Sequence, residues 1–379
     1  MTKFDFDVNA IMKARYAKIQ KKFTEEKIDV FLGTSLRAIT YAGNVYQSFA
    51  WYVNTCILIP AKGEPMLVGP LSDVNRIAAE SWISKVESWN PPFGDIPARK
   101  FEDVLIDYFK ANKFEEAVIG IEGNISYLLR TTLEKALPKA TFVIADNATV
   151  DCMVVKDEME LAYMRKVGEL CTLGFETLRD NIRPGISETE LVGIMEARLR
   201  KAGCTGWWVP NQAGCGEKVL LDHYPSDDAI IQPNHYVKAG VHATYRLYCG
   251  DICNVFALRK AEPEYVKLCK TSEDAAQKTL DAMKPGVKCN ELYFVYQKYM
   301  ADHGYEKCCD WYLGHGLGTA HHAPLLSPHD PTVLQKNMVV VLNALSQTSW
   351  NSYINEVMVI ITDDGYELIT HNPLGLVQL

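Results

Sequence analysis

The stretch GHGLGTAHHAP, residues 314–324, carries the strongest functional pattern in the chain. Glycines on both sides of His315 let backbone approach that side chain closely. His322 follows seven residues on, and three of the nine histidines fall within 315–322. Clustered imidazoles of this kind suit proton transfer or metal binding. Upstream, HATYRLYCGDICNVF (242–256) sets Asp251 in an apolar, strand-like run, with Cys249 and Cys253 on the same face of an extended chain. A carboxylate there needs a metal, a histidine or backbone donors, unless the strand is an edge and Asp251 is solvated. Downstream, Glu356 interrupts YINEVMVII in the same way, and Asn343 ends the strand before it. His223, in LLDHYPSDDA, precedes Tyr224-Pro225 at a strand end.

The surrounding frame reads as two regions. Residues 1–150 alternate helices with short apolar strands: a helix over 9–25, strand 28–33, a hairpin of 55–60 with 65–69, helix 100–112, strand 117–122, helix 126–137 and strand 141–146. That is an α/β domain. In 151–379 a long helix over 157–181 breaks at Pro184-Gly185 and restarts at Ser187, with Glu190 completing a capping box. The same PG-x-x-x-x-E-L pattern recurs at Pro285 to Leu292, again between two helices. Strands follow each unit, over 235–258, then 338–342 and 353–362. This spells an internal duplication and an α+β domain with a site between pseudo-symmetric halves.

Composition narrows the function. The 379 residues are 48% hydrophobic and 23% charged, with a net charge of −8. An acidic chain without a basic cluster is a poor partner for nucleic acid or anionic membranes. No run approaches the roughly 18 apolar residues of a membrane span. The N-terminal residues have no apolar signal core, which gives the expectation of a cytoplasmic protein. Eleven cysteines without a paired spacing read as reduced thiols, most of them small core hydrophobes.

The order His223-Tyr224, Tyr248-x-x-Asp251, Gly314-His315-Gly316-x-Gly318 with a following histidine, Glu356 and Asp364-Gly365 resembles the catalytic domain of the pita-bread family. That family includes methionine aminopeptidases, Xaa-Pro peptidases and creatinase. The first half is similar to the creatinase/prolidase-type N-terminal domain. The resemblance implies a pita-bread domain over 151–379 behind that N-terminal domain. It also implies a homodimer in which the N-terminal domain of one chain caps the other's site.

Peptidases of this family hold two metal ions with two aspartates, a histidine and two glutamates. The resemblance maps three of these onto Asp251, His315 and Glu356. It places Gly240 and Asn343 at the other two positions. A dinuclear site is therefore not expected. The expectation is either no metal or a single Mn, Fe or Zn ion on Asp251, His315 and Glu356. The creatinase and ectoine hydrolase branch matches this pattern best.

By that likeness His223 acts as general acid/base, and His322 donates a hydrogen bond to developing charge. Asp251 and Glu356 hold a cationic group or the ion, beside Asn343. Phe49, Trp51 and Tyr52 form an aromatic lip, with Trp51 at the branch's arginine position. The expected reaction is hydrolysis of a non-peptide C–N bond in a small cationic or zwitterionic nitrogen compound. The alternatives are a single-metal Xaa-Pro dipeptidase, a lyase of the dimethylsulfoniopropionate type, and a non-catalytic binding module.

Overall fold

The computed structural model describes residues 6–46, 54–91, 96–221, 224–306, 312–347 and 352–379. The chain divides into two compact units, Thr2–Met153 and Val154–Leu379.

In the first unit a six-stranded mixed sheet runs in the order Val86–Trp89, Met66–Pro70, Cys56–Pro60, Val30–Gly33, Val118–Ile121, Thr141–Ile144. Period-two alternation sorts its side chains into two cores. Phe31, Ile57 and Leu67 meet Ile19 and Phe23 of the helix Val8–Glu25. Val30, Leu32, Leu58 and Val68 meet Leu105, Phe109 and Leu133 on the other face. Buried Glu122 accepts backbone N–H bonds from Thr34 and Ser35, both 2.6 Å, just before the helix Leu36–Gly43. A carboxylate at that helix end satisfies donors the helix itself cannot.

The second unit is a duplicated pita-bread domain. One helix pair is Glu158–Asn181 and Glu188–Lys201, the other Pro263–Ala282 and Cys289–Asp302. Each pair turns at a glycine with left-handed backbone, Gly185 at φ +90° and Gly286 at φ +93°. Only glycine takes that conformation without strain. Each glycine then donates its N–H to a strand-entry carbonyl at 2.9 Å, Gly185 to Ile231 and Gly286 to Leu334. Matching bridges follow, Ser187 with Ile230 and Lys288 with Val333. Ser187 Oγ accepts the Glu190 N–H at 3.1 Å, one half of the expected capping box.

The strands form two main sheets. One runs Val377–Gln378, Ile252–Ala257, Tyr236–Val241, Gln212–Cys215. The other runs His321–Leu325, Gly314–Leu317, Val339–Gln347, Ser352–Ile361, Tyr366–Leu368. Ile252–Ala257 lies against Ser352–Ile361, so the two sheets meet along the pair of strands that carry Cys253 and Glu356. The expected strand over 235–258 is broken. Asp251 occupies the gap between Tyr248–Cys249 and Ile252–Ala257. Asn343 stands mid-strand rather than at a strand end, paired with Glu356.

The helix Glu158–Asn181 packs through its glycines. A Cβ at Gly168 would lie 2.0 Å from the Ile369 carbonyl oxygen, which is backbone and cannot swing aside. Gly168→Ala should lower stability by about 1–3 kcal/mol in urea unfolding followed by circular dichroism. Gly193→Ala, in the helix Glu188–Lys201, meets nothing within 4 Å. It should raise stability by roughly 0.5–1 kcal/mol. Equal midpoints for the two variants would refute this packing.

Candidate functional site

Period-two alternation aims Lys238 and Gly240 of the strand Tyr236–Val241 at one face of the sheet. Across the strand pair, Cys253 stands opposite Gly240. Asn343 and Leu345 come from the second sheet, opposite Glu356 and Ile354. These residues line one cavity of about 230 Å³ together with Asp251, His242, His315 and His321. Trp208, Tyr224 and Tyr312 complete its aromatic wall.

Asp251 is 5% exposed and sits between two imidazoles. His242 Nε2 is 3.6 Å from its Oδ1, and His315 Nε2 is 3.3 Å from its Oδ2. The other nitrogen of each ring faces a backbone carbonyl, His242 Nδ1 to Pro210 O at 2.8 Å and His315 Nδ1 to Gly316 O at 3.2 Å. A carbonyl accepts only, so both Nδ1 atoms carry the proton. In the neutral rings the Nε2 atoms facing Asp251 are then acceptors. Trp208 Nε1 donates to Gly250 O at 2.8 Å and pins the loop that presents Asp251.

Gly240 stands where the two-metal pattern requires a carboxylate. A Cβ there would lie 2.9 Å from His242 Cε1 and 3.0 Å from its Nε2. The His242 ring thus fills the space a side chain at 240 would use. Asn343, at the second missing carboxylate, holds an Oδ1 that is buried without a hydrogen-bond donor. Among the described residues, no group of three or more His, Cys, Asp or Glu side chains is arranged to hold a metal ion. The donor set of the two-metal peptidases does not fit here.

His322 does not reach the cavity where it was expected, and its neighbour His321 does. His321 and His322 share the strand His321–Leu325, where alternation sends them to opposite faces. His321, not His322, lines the cavity. Its ring lies tilted by 34° against His315, at 3.9 Å between centroids. Burial, then the neighbouring His315, pushes its pKa down to about 4, so the ring is neutral near pH 7. His322 is 5% exposed and accepts from Lys156 Nζ at 2.9 Å through Nε2, while its Nδ1 donates to Ala323 O. Both of its nitrogens are committed there, so His322 does not line the cavity where it was expected to act.

Cys253 lines the cavity, and burial followed by Glu356 holds its thiol well above the ordinary range. Cys249 does not line it; its thiol donates to Leu247 O at 3.5 Å. His223, Phe49, Trp51 and Tyr52 lie outside the described residues. The sequence reading passed over His242 and Lys238. The signal was present: both lie an even number of residues from Gly240, the position already singled out.

A profile of metallopeptidase family M24 matches residues 162–363, and one of the creatinase/prolidase N-terminal domain matches 15–155. The chain belongs to metallopeptidase family M24. Its members include hydrolases that use divalent metals. An Xaa-Pro dipeptidase of Pyrococcus horikoshii is 24% identical over 88% of this chain and 89% of its own length. An ectoine hydrolase of Halomonas elongata is 21% identical over 96% of each. The solved structure of an Xaa-Pro dipeptidase from Bacillus anthracis superposes with a TM-score of 0.87 at 21% identity, covering 97% of this chain and 100% of that one. Among the described residues, no helix is long and apolar enough to cross a membrane.

Two measurements test the geometry. The His321 ring should titrate near pH 4 by NMR rather than near its ordinary value of 6.5. Because its folded pKa is depressed, the unfolded chain binds the extra proton first. His321 therefore withdraws stability as pH falls from about 6.5 to about 4. Titration of this ring at 6.5 would place it outside the cavity.

The second measurement concerns the metal. Gly240→Asp alone collides with His242 and should add no manganese by mass spectrometry. Gly240→Asp with His242→Gly and Asn343→Glu should add it. Equal metal content in both variants would show that the His242 ring is not what blocks the site.

Proposed function

We propose that this chain hydrolyses a non-peptide C–N bond in a small cationic or zwitterionic nitrogen compound. One observation carries the reading. The first carboxylate position of the peptidase set is a glycine, and the side-chain space above it is occupied by the ring of His242. What remains sets the carboxyl groups of Asp251 and Glu356 beside an aromatic wall, a combination suited to a ligand that carries a cationic nitrogen. The 21% identity to an ectoine hydrolase across almost the whole chain supports the same class.

In this scheme water adds its oxygen to the carbon and a proton reaches the leaving nitrogen. His223, the residue before Tyr224 of the cavity wall, carries that proton. His321, neutral at working pH, donates its ring N–H to charge that develops on the substrate. Asp251 and Glu356 hold the cationic group. Phe49, Trp51 and Tyr52 belong, in the homodimer we propose, to the lip over the partner's cavity.

A second reading, an Xaa-Pro dipeptidase, is favoured by the relative from Pyrococcus horikoshii and by the presence of Asp251, His315 and Glu356 in one cavity. One experiment separates the two. Chelator-treated protein is assayed against cyclic amidines, guanidino acids and Xaa-Pro dipeptides, with and without manganese. Non-peptide turnover without metal, lost by about 10²–10⁴-fold in His223→Ala, is the expected result. Release of proline only on adding manganese would instead establish the dipeptidase.

A further inference from the structure

We propose that Glu188 is a positioning residue for the cavity, closing the base of the segment 215–227 so that Tyr224 is held in the cavity wall. The proposal rests on the reading of this cavity as the catalytic site; the same segment contains His223, the proton carrier of that scheme. Glu188 opens the helix Glu188–Lys201 and is fully buried. Its carboxylate collects donors from both ends of the segment. Oε1 accepts the Cys215 N–H at 2.8 Å. Oε2 accepts the Asp227 N–H at 3.1 Å and the Lys218 ammonium at 2.7 Å. Lys218 also meets Asp227 Oδ2 at 2.7 Å, which completes the clamp.

The clamp bears directly on the wall. Gln212, on the strand that ends at Cys215, and Tyr224 both line the cavity. A Cβ at Gly214 would lie 2.3 Å from Tyr224 Cε2, so the ring covers that strand closely. Ser226 Oγ accepts the Ala213 N–H at 2.8 Å and donates to the Ala213 carbonyl at 2.9 Å. A change in the spacing of Cys215 and Asp227 is therefore passed to Tyr224 through contacts two or three residues away.

The duplicated half shows what the frame needs without this carboxylate. Cys289 takes the place of Glu188 there. The Glu188 N–H donates to Ala229 O at 3.1 Å, and the Cys289 N–H to Thr332 O at 2.9 Å. Thr189 N–H meets Asp227 O at 3.1 Å, and Asn290 N–H meets Asp330 O at 3.0 Å. Asp227 and Asp330 each accept the N–H two residues on, both at 2.8 Å. The same backbone ties thus form with a thiol in an apolar core as with a carboxylate. Desolvation offsets much of the attraction in a buried ion pair, so Glu188 and Lys218 are a poor way to add stability alone. Charge-assisted hydrogen bonds do fix geometry, and Glu188 stands in the half whose adjoining segment carries Tyr224 and His223.

The test joins hydrogen–deuterium exchange of the full chain with steady-state kinetics. Glu188→Gln keeps the shape and removes the charge. It should speed exchange across 215–227 at least about tenfold and leave 321–332 as in the native chain. Against cyclic amidines, guanidino acids and Xaa-Pro dipeptides, kcat should fall at least about tenfold while KM stays within about twofold. Cys289→Ala should do neither, even where it lowers the unfolding midpoint. Unchanged exchange across 215–227 overturns the proposal, and so does faster exchange with native kcat. Equal losses of kcat in Glu188→Gln and Cys289→Ala overturn it too, because Glu188 would then act through stability alone. Lys218→Met, at a partly exposed partner in the clamp, should move both readouts in the same direction and decides where Glu188→Gln does not fold. Exchange needs no substrate. Turnover of dipeptides alone sinks the non-peptide reading, and the kcat comparison is then made on the dipeptide. Turnover of no compound sinks the hydrolytic reading, and the exchange pattern then decides this proposal by itself.

Discussion

Two backbone hydrogen bonds hold the frame on which the cavity is built: Gly185 N–H to the Ile231 carbonyl and Gly286 N–H to the Leu334 carbonyl. Each ties a helix pair to the entry of a strand. Each requires a left-handed residue, which explains why both turns are Pro-Gly and why the spacing to the next helix is the same. From the tethered residue the chain runs nine positions to Gly240 in one half and nine to Asn343 in the other. Their cross-strand partners are Cys253 and Glu356. The two departures from the peptidase carboxylate set therefore occupy equivalent places in the duplicated frame.

That equivalence gives the cavity its chemistry. Removing one carboxylate from each half takes away opposing negative charge at the centre of the domain. Asp251 and Glu356 remain, one contributed by each sheet region. A lone buried carboxylate is costly unless donors or cations approach it. Asp251 meets imidazoles on both sides instead, with their protons drawn away toward Pro210 and Gly316. Lys238 brings positive charge to the walls of the same cavity.

Much of this frame was legible in the sequence because it rests on local rules. Pro-Gly turns, helical spacing, apolar strand runs and the glycine-flanked His315 each speak within a few residues. The duplicated turn was visible for the same reason. What stayed hidden depends on direction. His321 and His322 are neighbours with identical chemistry, and a one-residue difference in strand phase decides which faces the cavity. Sequence spacing favoured His322, and the strand sends it to Lys156 instead. Asp251 was read as a strand residue because its flanks are apolar, yet it sits in a break that lets its side chain turn inward.

Gly240 and His242 illustrate the deeper difficulty. Read singly, the glycine is a lost ligand and the histidine an incidental strand-end residue. Together they are one feature, since the missing Cβ at 240 is what makes room for the ring at 242. Packing density leaves little choice: a cavity at that point would cost stability, and a side chain at both positions would clash. The ring that occupies the space also delivers a nitrogen 3.6 Å from Asp251. The glycine at 240 and the imidazole beside Asp251 are therefore one feature of the packing.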